Sequence, residues 1–195
     1  MSGTLFVVAT PIGNMADISE RAVETLKMVD YIIAEDTRVS GKLLNRIGIG
    51  KKMFSYHKFN EKSVTEKHIE ELKAGKNIAM ISDAGTPAVS DPGKHLVRAV
   101  LESGIKVLPI PGPSAAAAAF SCSGSLNDSY IFAGFLPSKG NVREEKLDEL
   151  LSLKMPVIFY ESPNRVSSLL EMLKNRTAMT VRSGSEREQQ EKDQR

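Results

Sequence analysis

Short apolar runs and longer amphipathic runs take turns along this chain, and the two kinds of run predict different elements. "TLFVVAT" near the N-terminus is almost unbroken in its apolar character, as expected of a strand buried on both faces. "DISERAVETLKMV" then sets Ile18, Ala22, Val23, Leu26 and Val29 on one helical face, with Asp17 and Glu20 at capping-box spacing. "YIIAED" predicts a second strand, "TRVSGKLLNRIG" a short helix closed by Gly48, and "KKMFSYH" a third strand. "SVTEKHIEELKAG" predicts a helix opened by Ser63 with Glu66 and stopped by Gly75, and "NIAMISD" a fourth strand. After a loop come the helix "KHLVRAVLESG", ended by Gly104, the strand "IKVLPI", the turn "PGPS" and an alanine-rich helix from Ser114.

Strands alternating with helices predict an α/β protein with largely parallel sheets. The polar patch "SCSGSLNDS" breaks the rhythm and is the expected boundary between an N-terminal α/β domain over 1–120 and a partial C-terminal α/β domain over 121–175. In that second region "YIFAGFL" and "PVIFYES" read as strands, and "VREEKLDELLSL" and "RVSSLLEMLKN" as helices. From Thr177 onward only Ala178, Met179 and Val181 are apolar among many charged residues and glutamines. Too little can be buried there to offset the entropy of ordering, so the tail over 176–195 is expected to be disordered.

Composition narrows the function classes. With 26 basic and 24 acidic residues there is no global basic signature, so any nucleic-acid contact has to be local. The single cysteine, Cys122, excludes an intramolecular disulfide and a cysteine-rich zinc site. His57, His68 and His95 lie far apart without ligand spacing, so no metal is expected, and His68 and His95 read as solvated helix residues. No basic segment precedes the first apolar run, and no stretch reaches the roughly 20 apolar residues of a membrane span. A soluble, cytoplasmic protein with no membrane partner is the expectation.

Three Gly/Pro-rich loops follow predicted strands: "TPIGN", "SDAGTP" and "PGPSA". In open α/β sheets ligands bind at the C-terminal ends of strands, so three such turns there predict a pocket walled by backbone. The chain has neither a Walker lysine-serine ending nor G-x-G-x-x-G, which disfavours a P-loop hydrolase and a dinucleotide-binding fold.

Five stretches carry a family resemblance: "GTLFVVATPIGNMADISERAVETLKMVDYIIAEDTRVSGKLL", "ISDAGTPAVSDPG", "PIPGPSA", "FAGFLPSKG" and "FYESPNRV", in order from about Gly3 to about Lys174. Together they resemble the small-subunit (16S) ribosomal RNA cytidine 2′-O-methyltransferase family RsmI, within the tetrapyrrole methylase superfamily. The resemblance implies two α/β domains with S-adenosylmethionine in the cleft between them, a homodimer, and methyl transfer to the ribose 2′-hydroxyl of a cytidine in small-subunit rRNA. It further implies that Asp83, Ala84, Gly85, Thr86 and Pro87 line the methionine end of the donor, with Pro111, Gly112, Ser114 and Ala115 on another side and Pro11 and Gly13 of the first loop nearby. Asp83 is the expected partner of the donor's ammonium.

A ribose hydroxyl needs its proton removed or shared, and Glu35, Asp36 and Glu161 are all candidates with no decision among them. Each could equally form a structural ion pair with Arg38 or Arg165. Local cations for RNA phosphates are Arg38, Lys139, Arg143 and Arg165. The family continues past the "ESPNR" helix with further elements, whereas the tail here resembles nothing in the family pattern and reads as a truncation or a shifted frame; the second domain is therefore expected to be incomplete. The alternatives are a small-molecule, tetrapyrrole-type methylase, and a fragment that binds donor or RNA without turnover.

Overall fold

The computed structural model of the chain describes residues 1–57 and 60–176. They fall into two compact units, Met1–Gly124 and a second from Ser125 onward. In the first, β1 (Thr4–Val8), β2 (Tyr31–Ala34), β3 (Met53–Ser55), β4 (Ile78–Ile81) and β5 (Lys106–Ile110) form one sheet in the order β3-β2-β4-β1-β5. Every pairing is parallel. The strands β2 and β4 are buried at each position, as their unbroken apolar sequences require.

Alternate residues feed two separate cores. Val8, Ile32, Ala34, Ala79 and Ile81 pack with Ala22 and Leu26 of α1 (Glu20–Met28) and Leu44 of α2 (Thr37–Arg46). Leu5, Tyr31, Ile33, Ile78 and Met80 pack with Leu72 of α3 (Glu61–Lys73) and with Leu96 and Val100 of α4 (Lys94–Glu102). The chain thus steps one way along the sheet through α1 and α2, then back through α3 and α4. The reversal falls at β1 and β4, whose C-terminal ends form the topological switch point. A short helix α5 (Ala115–Ser121) follows β5, with Ser114 at its N-cap position.

Both predicted capping boxes are displaced. Ser19 is the cap of α1, its Oγ accepting the Ala22 N–H at 3.1 Å, while Met15–Asp17 form a separate 3-10 turn capped by Asn14. A nearer hydroxyl outcompetes Asp17 for the first free N–H. Likewise α3 starts at Glu61, ahead of Ser63, with Asn60 at the N-cap. His68 is not solvated either: it is 3% exposed, on the inward stripe with Val64 and Leu72, and its Nδ1 lies 2.9 Å from the Tyr31 hydroxyl. That hydrogen bond is what lets a polar ring enter the core.

The second unit has two parallel strands, β6 (Ile131–Phe135) and β7 (Val157–Tyr160), with α6 (Asn141–Ser152) and α7 (Pro163–Arg176). Proline at the first helical position starts α7 earlier than its apolar pattern predicts. Leu136, Leu147, Leu150 and Leu169 form a small core. The disorder expected of the tail concerns residues that, from Thr177, lie outside the described ones.

Candidate functional site

Three loops at the switch point are tied together by backbone. Thr10 and Gly85 exchange both N–H to carbonyl bonds, at 2.9 and 3.1 Å, making an antiparallel bridge between the loops after β1 and β4. The Thr10 hydroxyl adds a bond to the Ser82 carbonyl at 3.1 Å. Thr86 Oγ1 donates to the Pro113 carbonyl at 3.2 Å, joining the loop after β5. Glycine is required at two of these contacts: Gly85 has φ +82°, and a Cβ on Gly112 would meet the Ala9 Cβ at 2.9 Å. Gly13, Asp83, Ala84, Pro111 and Gly112 are exposed on this crest, with Pro11, Thr86, Ser114 and Ala115 half-buried, whereas Gly85 and Pro87 are buried beneath it.

Carboxylates gather beside these loops. Asp83 Oδ1 accepts the Asp36 N–H at 3.1 Å, linking the ends of β2 and β4. Asp36 caps α2, accepting the Arg38 N–H at 2.8 Å and the Arg38 guanidinium at 2.6 Å, and this arginine holds its carboxyl at about 2. Glu35 is different. Burial, then the charges of Asp91 and Asp83, raise its pKa above the usual carboxylate range. Asp83 and Asp91 are also raised, each first by burial. Glu35 and Asp91 line a cavity of about 410 Å³ together with Ser90, Pro92, Gly93, Lys94 and His95.

The loop forming that cavity is strained: Ala88 and Ser90 sit at φ 64°, a left-handed conformation costly to residues with a Cβ. Asp91 was not among the residues singled out from sequence; the second aspartate of "SDAGTPAVSDPG" was its only signal. Among the described residues no set of His, Cys, Asp or Glu is arranged to hold a metal ion.

In the second unit, Glu161 is enclosed. Its Oε2 accepts from Arg143 at 3.0 Å, and its Oε1 accepts the Ser162 N–H at 2.8 Å and the Arg165 guanidinium at 2.7 Å. Burial pushes this carboxyl up, but the Ser162 N–H and the two guanidiniums outweigh it and leave the pKa below the ordinary value. Arg143 also donates to the Pro137 carbonyl at 3.1 Å, and its side chain is 5% exposed. Burial therefore removes Arg143 from the expected phosphate contacts, and Glu161 is built as an anchor for two arginines rather than as a free base. Arg165 is partly exposed but engaged by Glu161, while Lys139 stands exposed on the loop before α6. Arg38 is 87% exposed even while paired to Asp36.

A sheet with its switch point between β1 and β4, and crossed there by three interlocked Gly/Pro loops, agrees with what comparison with known proteins finds. The chain belongs to the tetrapyrrole (corrin/porphyrin) methylases, whose family model matches residues 4–192. Among particular proteins it is similar to the ribosomal RNA small subunit methyltransferase I of Haemophilus influenzae, 50% identical over 171 residues, which cover 88% of this chain and 60% of that protein. The protein of the same name from Vibrio cholerae is 48% identical over 170 residues, 87% of this chain and 59% of that one. That from Halalkalibacterium halodurans is 47% identical over 169 residues, 87% and 58% respectively. The chain thus spans about 60% of the length of these curated relatives.

Proposed function

We propose that this chain carries the donor site of an S-adenosylmethionine-dependent methyltransferase acting on the ribose 2′-hydroxyl of a cytidine in the 16S rRNA of the small ribosomal subunit. One observation supports the donor assignment above the others: Glu35, Asp83 and Asp91 gather at the strand ends, where burial first and neighbouring carboxylates second raise their pKa values. A donor bearing an ammonium and a sulfonium would ease the repulsion among these carboxylates, and backbone loops without a phosphate cradle fit a ligand that lacks phosphates. When bound, it supplies an electrophilic methyl group for in-line displacement.

The chain's own residues then have separable tasks. Asp83 holds the ammonium, while Pro11, Gly13, Ala84, Pro111 and Gly112 present the wall. Gly85, Thr86 and Pro87 fix the loop from below, and Ser114 and Ala115 close the side at the start of α5. Glu35, half-buried and poised above the usual carboxylate pKa, takes the hydroxyl proton, because Asp36 is committed to Arg38 and Glu161 to two arginines. Lys139 and Arg38 are the exposed cations for RNA phosphates. The reading carries with it a cytoplasmic homodimer working on ribosomal subunits; no helix among the described residues is long and apolar enough to cross a membrane.

Calorimetry with S-adenosylhomocysteine tests the donor site. Radiolabelled donor with small subunits lacking the modification, followed by nucleoside digestion, tests the acceptor: label in 2′-O-methylcytidine is the expected result. The family name favours a second reading, a small-molecule methylase, which label in a porphyrinoid would establish instead. Donor binding without transfer to either would leave a binding fragment, consistent with a chain about 60% as long as its relatives.

A further inference from the structure

A second cavity, of about 350 Å³, opens at the opposite end of the sheet, where β2, β3 and β4 begin. Asp30, Tyr31, Lys52, Phe54, Lys67, His68, Glu71 and Lys76 line it. Nothing in the donor or acceptor roles above uses these groups. Two of its ammoniums converge on one aromatic ring: Lys52 Nζ lies 4.9 Å and Lys67 Nζ 5.3 Å from the Phe54 centroid. Neither lysine forms an ion pair among the described residues.

The lining also holds two carboxylates, and Lys67 attracts one of them, Glu71. Glu71 pairs with Lys76, and Asp30 Oδ2 accepts the Asn77 N–H at 2.7 Å. His68 forms the inner wall, with Nδ1 satisfied by the Tyr31 hydroxyl at 2.9 Å, so Nε2 is the ring's remaining polar atom. Burial, then Glu71 and Asp30, raise the Tyr31 pKa, so the phenol keeps its proton. Burial and then Lys67 lower the His68 pKa, opposed by Glu71, which favours the neutral ring. The cavity therefore sets a buried imidazole beside three lysine ammoniums and two carboxylates, an excess of one positive charge in its lining.

We propose that this cavity binds a phosphate group, His68 donating to it from Nε2 while Lys52 and Lys67 neutralise its charge. The phosphate comes from either free inorganic phosphate or the backbone of bound RNA; both present the same oxygens. The site is independent of the methyl-donor reading, since it shares no residue with that pocket.

The test follows the His68 ring by ¹⁵N NMR in the full chain, titrating inorganic phosphate and, separately, a short single-stranded oligoribonucleotide, each against potassium chloride of equal ionic strength. Phosphate is expected to shift the Nε2 resonance saturably and to raise the His68 pKa, since an anion favours the imidazolium. The double variant Lys52→Ala/Lys67→Ala is expected to weaken that binding about tenfold or more. Lys27→Ala, on an exposed position of α1, is expected to leave it unchanged. A response to the oligonucleotide alone supports the site and assigns its ligand as backbone phosphate. No saturable shift with either ligand, an equal shift with chloride, or full binding by the double variant overturns the proposal.

Discussion

Each unit holds acidic side chains at the C-terminal end of a strand, and the two sites are balanced in opposite ways. In the second unit Glu161 is matched by Arg143 and Arg165, and its pKa is lowered. In the first, burial first and neighbouring carboxylates second raise the pKa values of Glu35, Asp83 and Asp91. Both arrangements include an acid at the C-terminal end of a strand, so position alone does not separate them. What separates them is compensation: a buried ion pair with its hydrogen bonds made is a structural part, whereas charge left unbalanced in a cavity is a place for something to bind.

Breaking the compensated cluster is expected to have the largest effect. Arg143→Ala leaves Glu161 enclosed without the more buried of its two arginines and should cost the second unit about 3 to 5 kcal/mol. Hydrogen exchange should show β6 and β7 amides losing protection while β1 to β5 keep theirs. Replacing both partners, Arg143→Met with Glu161→Leu, should restore most of the protection, because the desolvation penalty goes with the charges. Equal loss in both variants would mean that the pair does more than satisfy itself.

Asp83 sharpens the other side of the comparison. Asp83→Ala should weaken S-adenosylhomocysteine binding by about 1.5 to 3 kcal/mol, the size of a hydrogen bond to a charged group. Asp83→Asn keeps an acceptor for the Asp36 N–H but not the charge, so it should bind almost as poorly while folding normally. Calorimetry on the three proteins separates charge from loop support.

Thr10→Val comes next. It removes the hydroxyl bond to Ser82 yet keeps the backbone bridge to Gly85, and should cost about 1 kcal/mol in urea unfolding. A much larger loss would show that the bridge depends on the side chain.

The limits of the sequence run along the same division. The strands were legible because β2 and β4 are apolar on both faces, and the helices because Ala22, Leu26 and Val29 recur at helical spacing. The three loops were legible as Gly/Pro turns after strands. Compensation was not, since it is set by partners distant in the chain: His68 reads as polar until Tyr31, 37 residues away, is placed beside it. Asp91 gains meaning only next to Glu35, on another strand's loop. Arg143 does carry a signal in the sequence, for it stands four and seven residues before Leu147 and Leu150, on the stripe of α6 that faces the core. An arginine in line with buried leucines needs a buried acid, and Glu161 is the one it meets.

The smallest expected effect is also the one that tests the comparison most directly, because its sign is fixed in advance. Glu35 binds its proton more tightly in the folded chain than in the unfolded one, where its pKa is about 4.3. Folding stability from this group is therefore fully present below that value and lost as pH rises through the folded pKa. Glu35→Gln cannot ionise, so at pH 7 it should melt higher than the parent chain, by no more than about 1 kcal/mol given its partial exposure, and the gain should vanish below about pH 4. Asp36, the next residue, behaves oppositely: Arg38 holds it at about 2, so Asp36→Asn should lose stability above about pH 4 and match the parent only below about pH 2. Opposite pH slopes from adjacent carboxylates would set the buried, repelled Glu35 apart from the paired Asp36, and saturating S-adenosylhomocysteine, whose ammonium at Asp83 would offset one of the charges that repel Glu35, should shrink the Glu35→Gln advantage. Parallel slopes would place both residues in one structural network and remove the electrostatic ground for a cationic donor there.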